Sequence, residues 1–108
     1  MKVVFIAGPI SNGGTLQPPE TAPHITAAVV AGLQLLDAGF AVLIPQLSWL
    51  IDPYGQHPWY EMDLELVRRS DAVLRMPGSS FGADREVVLA DEMAIPVYHS
   101  VAEVLAWR

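Results

Sequence analysis

The chain has 108 residues, a length for one domain, with 52% apolar and 17% charged residues, so it carries enough apolar surface to bury a core and is not a disordered chain. Formal net charge is −6, with one lysine, five arginines and no basic cluster beyond Arg68-Arg69. Duplex DNA and anionic membranes, which need a dense positive face, are excluded as partners, whereas a small anion held by backbone N–H groups at a helix start is not.

Residues 2–7, KVVFIA, form a continuous β-favouring run stopped by Gly8-Pro9. An all-apolar strand of this kind suits a parallel sheet covered on both faces. It is too short for the apolar part of a signal peptide, and no run reaches transmembrane length, so a cytoplasmic location is expected. Residues 8–20, GPISNGGTLQPPE, are rich in Gly, Pro and Ser and read as a loop. Thr21 then caps a helix with Pro23 in its first turn, Ile25, Val29, Leu33 and Leu36 on its apolar stripe and Gly39 at its close. Residues 40–45, FAVLIP, are a second buried strand. A long irregular stretch follows over 46–58, with Trp49, Tyr54 and His57; loops of this length in a compact domain are usually functional or mobile.

Residues 59–70 are helical, with Met62, Leu66 and Arg69 along one side and Leu64 and Val67 adding apolar surface. Residues 71–78, DAVLRMPG, are a third strand ended by Pro77-Gly78. Residues 82–93 form a third helix with Val87 to Ala90 as its buried part, residues 95–99 a fourth strand, and residues 101–107 a terminal helix capped by Ser100. Strand and helix alternate throughout. The pattern predicts an α/β fold over residues 1–108: a three-layer sandwich around a small flavodoxin-like parallel sheet of order 2-1-3-4. In such sheets ligands bind beyond the carboxyl ends of the strands where the order reverses, here between strands one and three. The segments 8–15, 76–86 and 49–63 converge there.

Glu86 leads the candidate residues. It lies about one turn into its helix, near the carboxyl end of strand three, where the positive helix end favours an ionised carboxylate nucleophile. An acid that merely stabilises a helix start fits the same position. Asp63, near the start of the preceding helix, is a second carboxylate for that crevice, and two carboxylates can divide labour between attack and departure of a leaving group. Asp71 opens strand three at the opposite edge and reads as structural. Ser11, Gly13 and Gly14 belong to a Gly-containing loop able to wrap an anion, although it is neither a dinucleotide fingerprint nor a P-loop. Ser79 and Ser80 precede the third helix and suit phosphate contact or a helix cap, the cap being the commoner role for either one alone. Cysteine is absent, which removes disulfides and thiol chemistry and fits a reducing compartment. His24, His57 and His99 lack metal-ligand spacing. Trp49, Tyr54, Trp59 and Tyr60 suit either a flat base or the cover of a core.

The stretches VFIAGPI, WYEMDLELVRRSDAVLRMPG and SSFGADREVVLADEMAIPV, at their spacing, together resemble the nucleoside 2-deoxyribosyltransferase superfamily, particularly its short phage and bacterial members. The most specific part is the S-x-G-x-x-x-E pattern of Ser80, Gly82 and Glu86 with Asp63 upstream. The resemblance implies an enzyme that cleaves the N-glycosidic bond of 2′-deoxynucleosides or their 5′-monophosphates through a covalent glycosyl-Glu86 intermediate. Asp63 would engage the base or assist its departure. Gly8, Ser11, Gly13, Gly14, Ser79, Ser80 and Gly82 would line the sugar or phosphate. Transfer to a second base comes first; hydrolysis of the monophosphate is the alternative, favoured by serine at position 80 and by Gly13-Gly14, and a nucleotide-binding module without catalysis is a third. The family needs no metal or organic cofactor and commonly forms homodimers or larger homo-oligomers, with neighbouring subunits completing each site.

Overall fold

The apolar runs pair into one parallel sheet of β1 (Val3–Ala7), β2 (Ala41–Leu43), β3 (Ala72–Arg75) and β4 (Val97–Tyr98), in the order β2-β1-β3-β4. The structure is a computed structural model and describes residues 1–10 and 18–108. Register sets Val4 of β1 beside Val42 on one side and Ala72 on the other, and Val73 of β3 beside Val97. Helices occupy the crossovers: α1 (Pro18–Asp37), α2 (Ser48–Ile51), α3 (Trp59–Arg68), α4 (Phe81–Glu92) and α5 (Val101–Trp107). No helix among the described residues is long and apolar enough to cross a membrane.

Because successive strand side chains point to opposite faces, the continuous apolar runs feed two cores at once. On one face Val4, Ala72 and Leu74 pack with Ala31 and Leu35 of α1, Phe40 just before β2 and Val104 of α5. On the other, Phe5, Ala7 and Val73 pack with Val67 of α3 and Ala83 and Ala90 of α4. The three-layer arrangement follows from this division. At the amino edge of the sheet Asp71 accepts a hydrogen bond from Val3 N–H at 2.7 Å, the structural role its position suggests.

Several local expectations change. The helix expected to be capped by Thr21 already runs from Pro18, and Thr21 is a fully buried residue inside it. Proline is tolerated in the first turn because that N–H has no intrahelical partner, so Pro18-Pro19 open the helix rather than prolong the loop. On α1 Leu33 and Leu36 are about half exposed, at 52% and 51%, while Ala28, Ala31 and Leu35 face the core. On α4 Val88 is exposed, and the inward positions are Ala83, Glu86 and Ala90. The stretch expected to be irregular holds a 3₁₀ turn (Pro45–Leu47) and the short α2. The caps read from Ser80 and Ser100 are present: their hydroxyls accept from Ala83 N–H and Glu103 N–H, each at 3.1 Å.

Candidate active site

The order reverses between β1 and β3, and the segments leaving their carboxyl ends are fastened together there. Met76 N–H donates to Ala7 O at 2.7 Å. Gly8 lies so close to Met76 that a Cβ on it would stand 2.8 Å from Met76 Cβ. Gly78 has φ +115°, and a Cβ there would meet Pro9 Cγ at 2.8 Å. These contacts brace one wall of a cavity of about 380 Å³. That volume lies in the range of roughly 300–1,000 Å³ usual for small-molecule sites.

Two helices aim carboxylates into the cavity. α4 begins immediately after the loop that follows β3, and its cap at Ser80 fixes the first turn. Ala83, Glu86 and Ala90 then recur at helical spacing along the inward side, so Glu86 is carried into the interior with 6% exposure. α3 enters with Trp59, Tyr60 and Asp63 on the cavity, while Val67, one turn beyond Asp63, reaches the core. Burial pushes the Glu86 carboxyl up to about 8, with repulsion from Asp63 adding to it and Arg75 opposing it. Burial alone lifts Asp63 to about 6. The expectation that the helix start would keep Glu86 ionised is therefore corrected: it lies past the first turn, and desolvation outweighs the dipole, which falls off within that turn.

Arg75 supplies the nearby positive charge. Its guanidinium donates to Met76 O, to Gly78 O at 2.9 Å and to Asp84 Oδ1 at 3.0 Å, tying the end of β3 to its loop and to α4. Its side chain is 13% exposed. Sequence reasoning passed over Arg75, although a charge ending an apolar strand was the available signal.

The loop before α3 is organised by Asp52. One of its oxygens, Oδ2, accepts from His57 N–H at 3.0 Å and Trp59 Nε1 at 2.9 Å and meets His57 Nδ1 at 2.7 Å. The His57 and Trp59 hydrogen bonds hold its carboxyl down at about 2. Gln46 is 2% exposed and donates its Nε2 to Ile6 O at 3.1 Å, which leaves its Oε1 without a partner. The buried indole Nε1 of Trp49 is also unpartnered. Asp52, Gln46 and Trp49 all line the cavity. Asp52 and Gln46 were not singled out in the sequence, since nothing local distinguishes a cavity carboxylate or amide from a surface one.

Of the residues expected at the site, Gly8, Asp63, Ser79, Ser80, Gly82 and Glu86 line this one cavity. Ser11, Gly13 and Gly14 lie outside the described residues. Gly8 is pressed against protein atoms, whereas a Cβ on Gly82 would meet open space. Ser80 spends its hydroxyl on the helix cap. Trp49 and Trp59 are partly buried, and Tyr54 is 85% exposed. Among the described residues no group of three or more His, Asp or Glu side chains is gathered to hold a metal ion.

No protein-family model and no curated protein matches the chain. Among solved structures, the fold is similar to that of a 2-deoxyribosyltransferase from the psychrotolerant bacterium Bacillus psychrosaccharolyticus. The TM-score is 0.62 and the identity 22%, over 88% of this chain and 69% of that one. The chain shares the α/β fold of that enzyme, with its parallel sheet ordered β2-β1-β3-β4.

Proposed function

We infer that the protein is a deoxyribosyltransferase-like enzyme that breaks the N-glycosidic bond of 2′-deoxynucleosides. The observation that carries this reading is the buried carboxyl of Glu86 and the half-buried carboxyl of Asp63, facing one nucleoside-sized cavity with their proton affinities pushed apart. In the first step the Glu86 carboxylate bonds to the anomeric carbon as the C1′–N bond breaks. The bonding electrons leave on the base nitrogen, which takes a proton from Asp63. In the second step a nitrogen of an incoming base attacks C1′, Asp63 takes up its proton, and Glu86 departs, so configuration is retained. Water in place of that base makes the reaction a hydrolysis.

Charge favours nucleosides over their 5′-monophosphates. The described lining carries Asp52, Asp63 and Glu86 and no lysine, arginine or histidine, and residues 11–17 contain none either. A phosphate dianion would enter against carboxylates with no cation on that lining to receive it, Arg75 lying behind the wall with its guanidinium already hydrogen-bonded. Hydrolysis of monophosphates draws its support from Ser79, Ser80 and Gly82 on the lining at the start of α4, a place where backbone N–H groups receive anions.

The test is base release from 2′-deoxynucleosides and their 5′-monophosphates, with and without an acceptor base. Exchange only with an acceptor marks transfer, and release without one marks hydrolysis. Glu86→Ala is expected to lose turnover by about 10³-fold or more while keeping its circular dichroism spectrum. Binding without turnover in any arm would leave a binding module instead, and full activity in Glu86→Ala would remove Glu86 from the nucleophile role.

A further inference from the structure

Asp52 lies on the cavity wall but outside the bond-breaking chemistry just described. It follows the single turn of α2, and its side chain is 8% exposed. Its carboxyl is met by the backbone N–H groups of Gln56 and His57, by the His57 ring at Nδ1 and by the Trp59 indole Nε1. A carboxylate only accepts, so Nδ1 carries the proton of that ring, and the part of Asp52 is to gather its own loop. Backbone bonds close the same loop: Gly55 N–H donates to Asp52 O at 3.1 Å and Trp59 N–H to His57 O at 2.8 Å. The His57 and Trp59 side-chain bonds keep the Asp52 carboxyl at about 2, so the tether stays ionised near neutral pH.

The tether acts where α3 has no anchor of its own. Pro58 stands at the cap position of that helix and makes no side-chain cap hydrogen bond, because proline has no acceptor to offer. Asp52 holds the helix start from outside, through the side chain of its first residue, Trp59. Asp63 follows Trp59 by one turn, a spacing that sets the two on one side of the helix, and both line the cavity. In the reaction above Asp63 exchanges a proton with the base nitrogen, so the ring one turn before it lies beside the base. The polar edge of that indole is taken by Asp52, and what remains for the cavity is the apolar surface of the ring. Such a ring stacks on a nucleobase, and a stack forms only where the plane of the ring is held.

Resting on the glycosidic reading above, we propose that Asp52 is a positioning residue for the base: through the Trp59 indole it fixes the plane on which the nucleobase stacks, with the departing nitrogen toward Asp63. Trp59 is the group that touches substrate, and Asp52 acts through it.

The indole N–H signal of Trp59 in a nitrogen–proton correlation NMR spectrum, identified by its loss in Trp59→Phe, reports on both the tether and the stack. Free adenine, guanine, cytosine or thymine added to the intact chain should move that signal saturably through the ring current of the stacked base, and 2-deoxyribose should leave it in place. Asp52→Ala should move the signal of the free chain upfield, because the bond to the carboxylate is lost. In base release from 2′-deoxynucleosides the same variant should raise KM by about tenfold, the scale of one weakened stack. Its kcat should change by less than about threefold, since the stack is made alike in ground and transition states. In the Trp59→Phe background Asp52→Ala should add less than about threefold to KM, because the group it acts through is already gone. A full tenfold rise there would make Asp52 a tie for the loop alone and overturns the proposal. So does a Trp59 signal that no base moves, or a KM that Asp52→Ala leaves unchanged. Trp59→Phe keeps a ring but loses the tether and should also raise KM, so the proposal stays testable if Asp52→Ala does not fold; an unchanged KM in Trp59→Phe overturns it. Base release with a KM indifferent to both substitutions sinks the positioning alone. Bases that move the Trp59 signal, with no base release from any nucleoside, sink the glycosidic reading and leave the positioning standing.

Discussion

Glu86 needs its proton off to attack a sugar carbon, yet burial and Asp63 both hold the proton on. With one carboxyl at about 8 and the other at about 6, the pair holds one proton near neutral pH. The reactive form is the singly protonated pair with the proton on Asp63 and the charge on Glu86. For the free enzyme kcat/KM should therefore trace a bell with limbs near those two values. Asp63→Asn removes both the acid and the repulsion. The alkaline limb should disappear, and the one remaining limb should follow Glu86 alone, above the wild-type acid limb because burial still holds its proton on and below about 8 because the repulsion from Asp63 is gone. Rates of base release from pH 5 to 9 read both effects, and a bell of unchanged shape in Asp63→Asn would take Asp63 out of the proton's path. Both carboxylates were legible in the sequence because each lies early in a helix that follows a loop at the carboxyl edge. Their protonation was not, because it depends on burial, which the helix register decides and the local sequence does not.

The loop after β3 and the first turn of α4 act as one unit, and Arg75 is what joins them. Replacing it with methionine removes hydrogen bonds to Met76 O, Gly78 O and Asp84 together. Arg75→Met should lower stability by about 1–3 kcal/mol in denaturant unfolding. It should also carry the alkaline limb of the rate profile, the one near 8, to higher pH, since the positive charge that opposes the rise of the Glu86 carboxyl is gone. A change in stability without that displacement would make Arg75 a purely structural tie. Gly78→Ala attacks the same unit through the backbone: at φ +115°, with Pro9 Cγ only 2.8 Å from the new Cβ, it should cost about 1–3 kcal/mol. Helix phase shows why parts of this layer escaped the sequence. α1 is apolar nearly all round, so Leu33 and Leu36 made as good a stripe as Ala28, Ala31 and Leu35, and only the sheet it packs on chooses between them. α4 carries four apolar residues in a row, Val87 to Ala90, which cannot share one face; the small Ala83 and Ala90 face inward instead, on either side of Glu86.

The fold itself was readable because four apolar runs, separated by helical segments, leave few ways to cover both faces of a parallel sheet. What patterning does not disclose is that this sheet carries its acids inside, and that choice governs the stability of the entire chain. Glu86 binds its proton more tightly folded than unfolded, so its contribution is fully present below its ordinary value of 4.5 and is lost as pH rises through about 8. Asp63 acts in the same direction between 3.8 and about 6. Asp52 acts oppositely: its contribution is present above 3.8 and is lost as pH falls through about 2. The folded state should accordingly be most stable at roughly pH 4–5 and weaken toward pH 8–9, by on the order of a few kcal/mol from Glu86 alone. Urea unfolding at fixed ionic strength from pH 3 to 9 measures that curve. Glu86→Gln, which cannot ionise, should match the wild type near pH 5, exceed it near pH 8, and flatten the alkaline slope to the smaller part due to Asp63. A slope unchanged in Glu86→Gln would mean that the carboxyl at position 86 titrates in the folded chain as it does in the unfolded one, and the assignment of a desolvated nucleophile would fall with it.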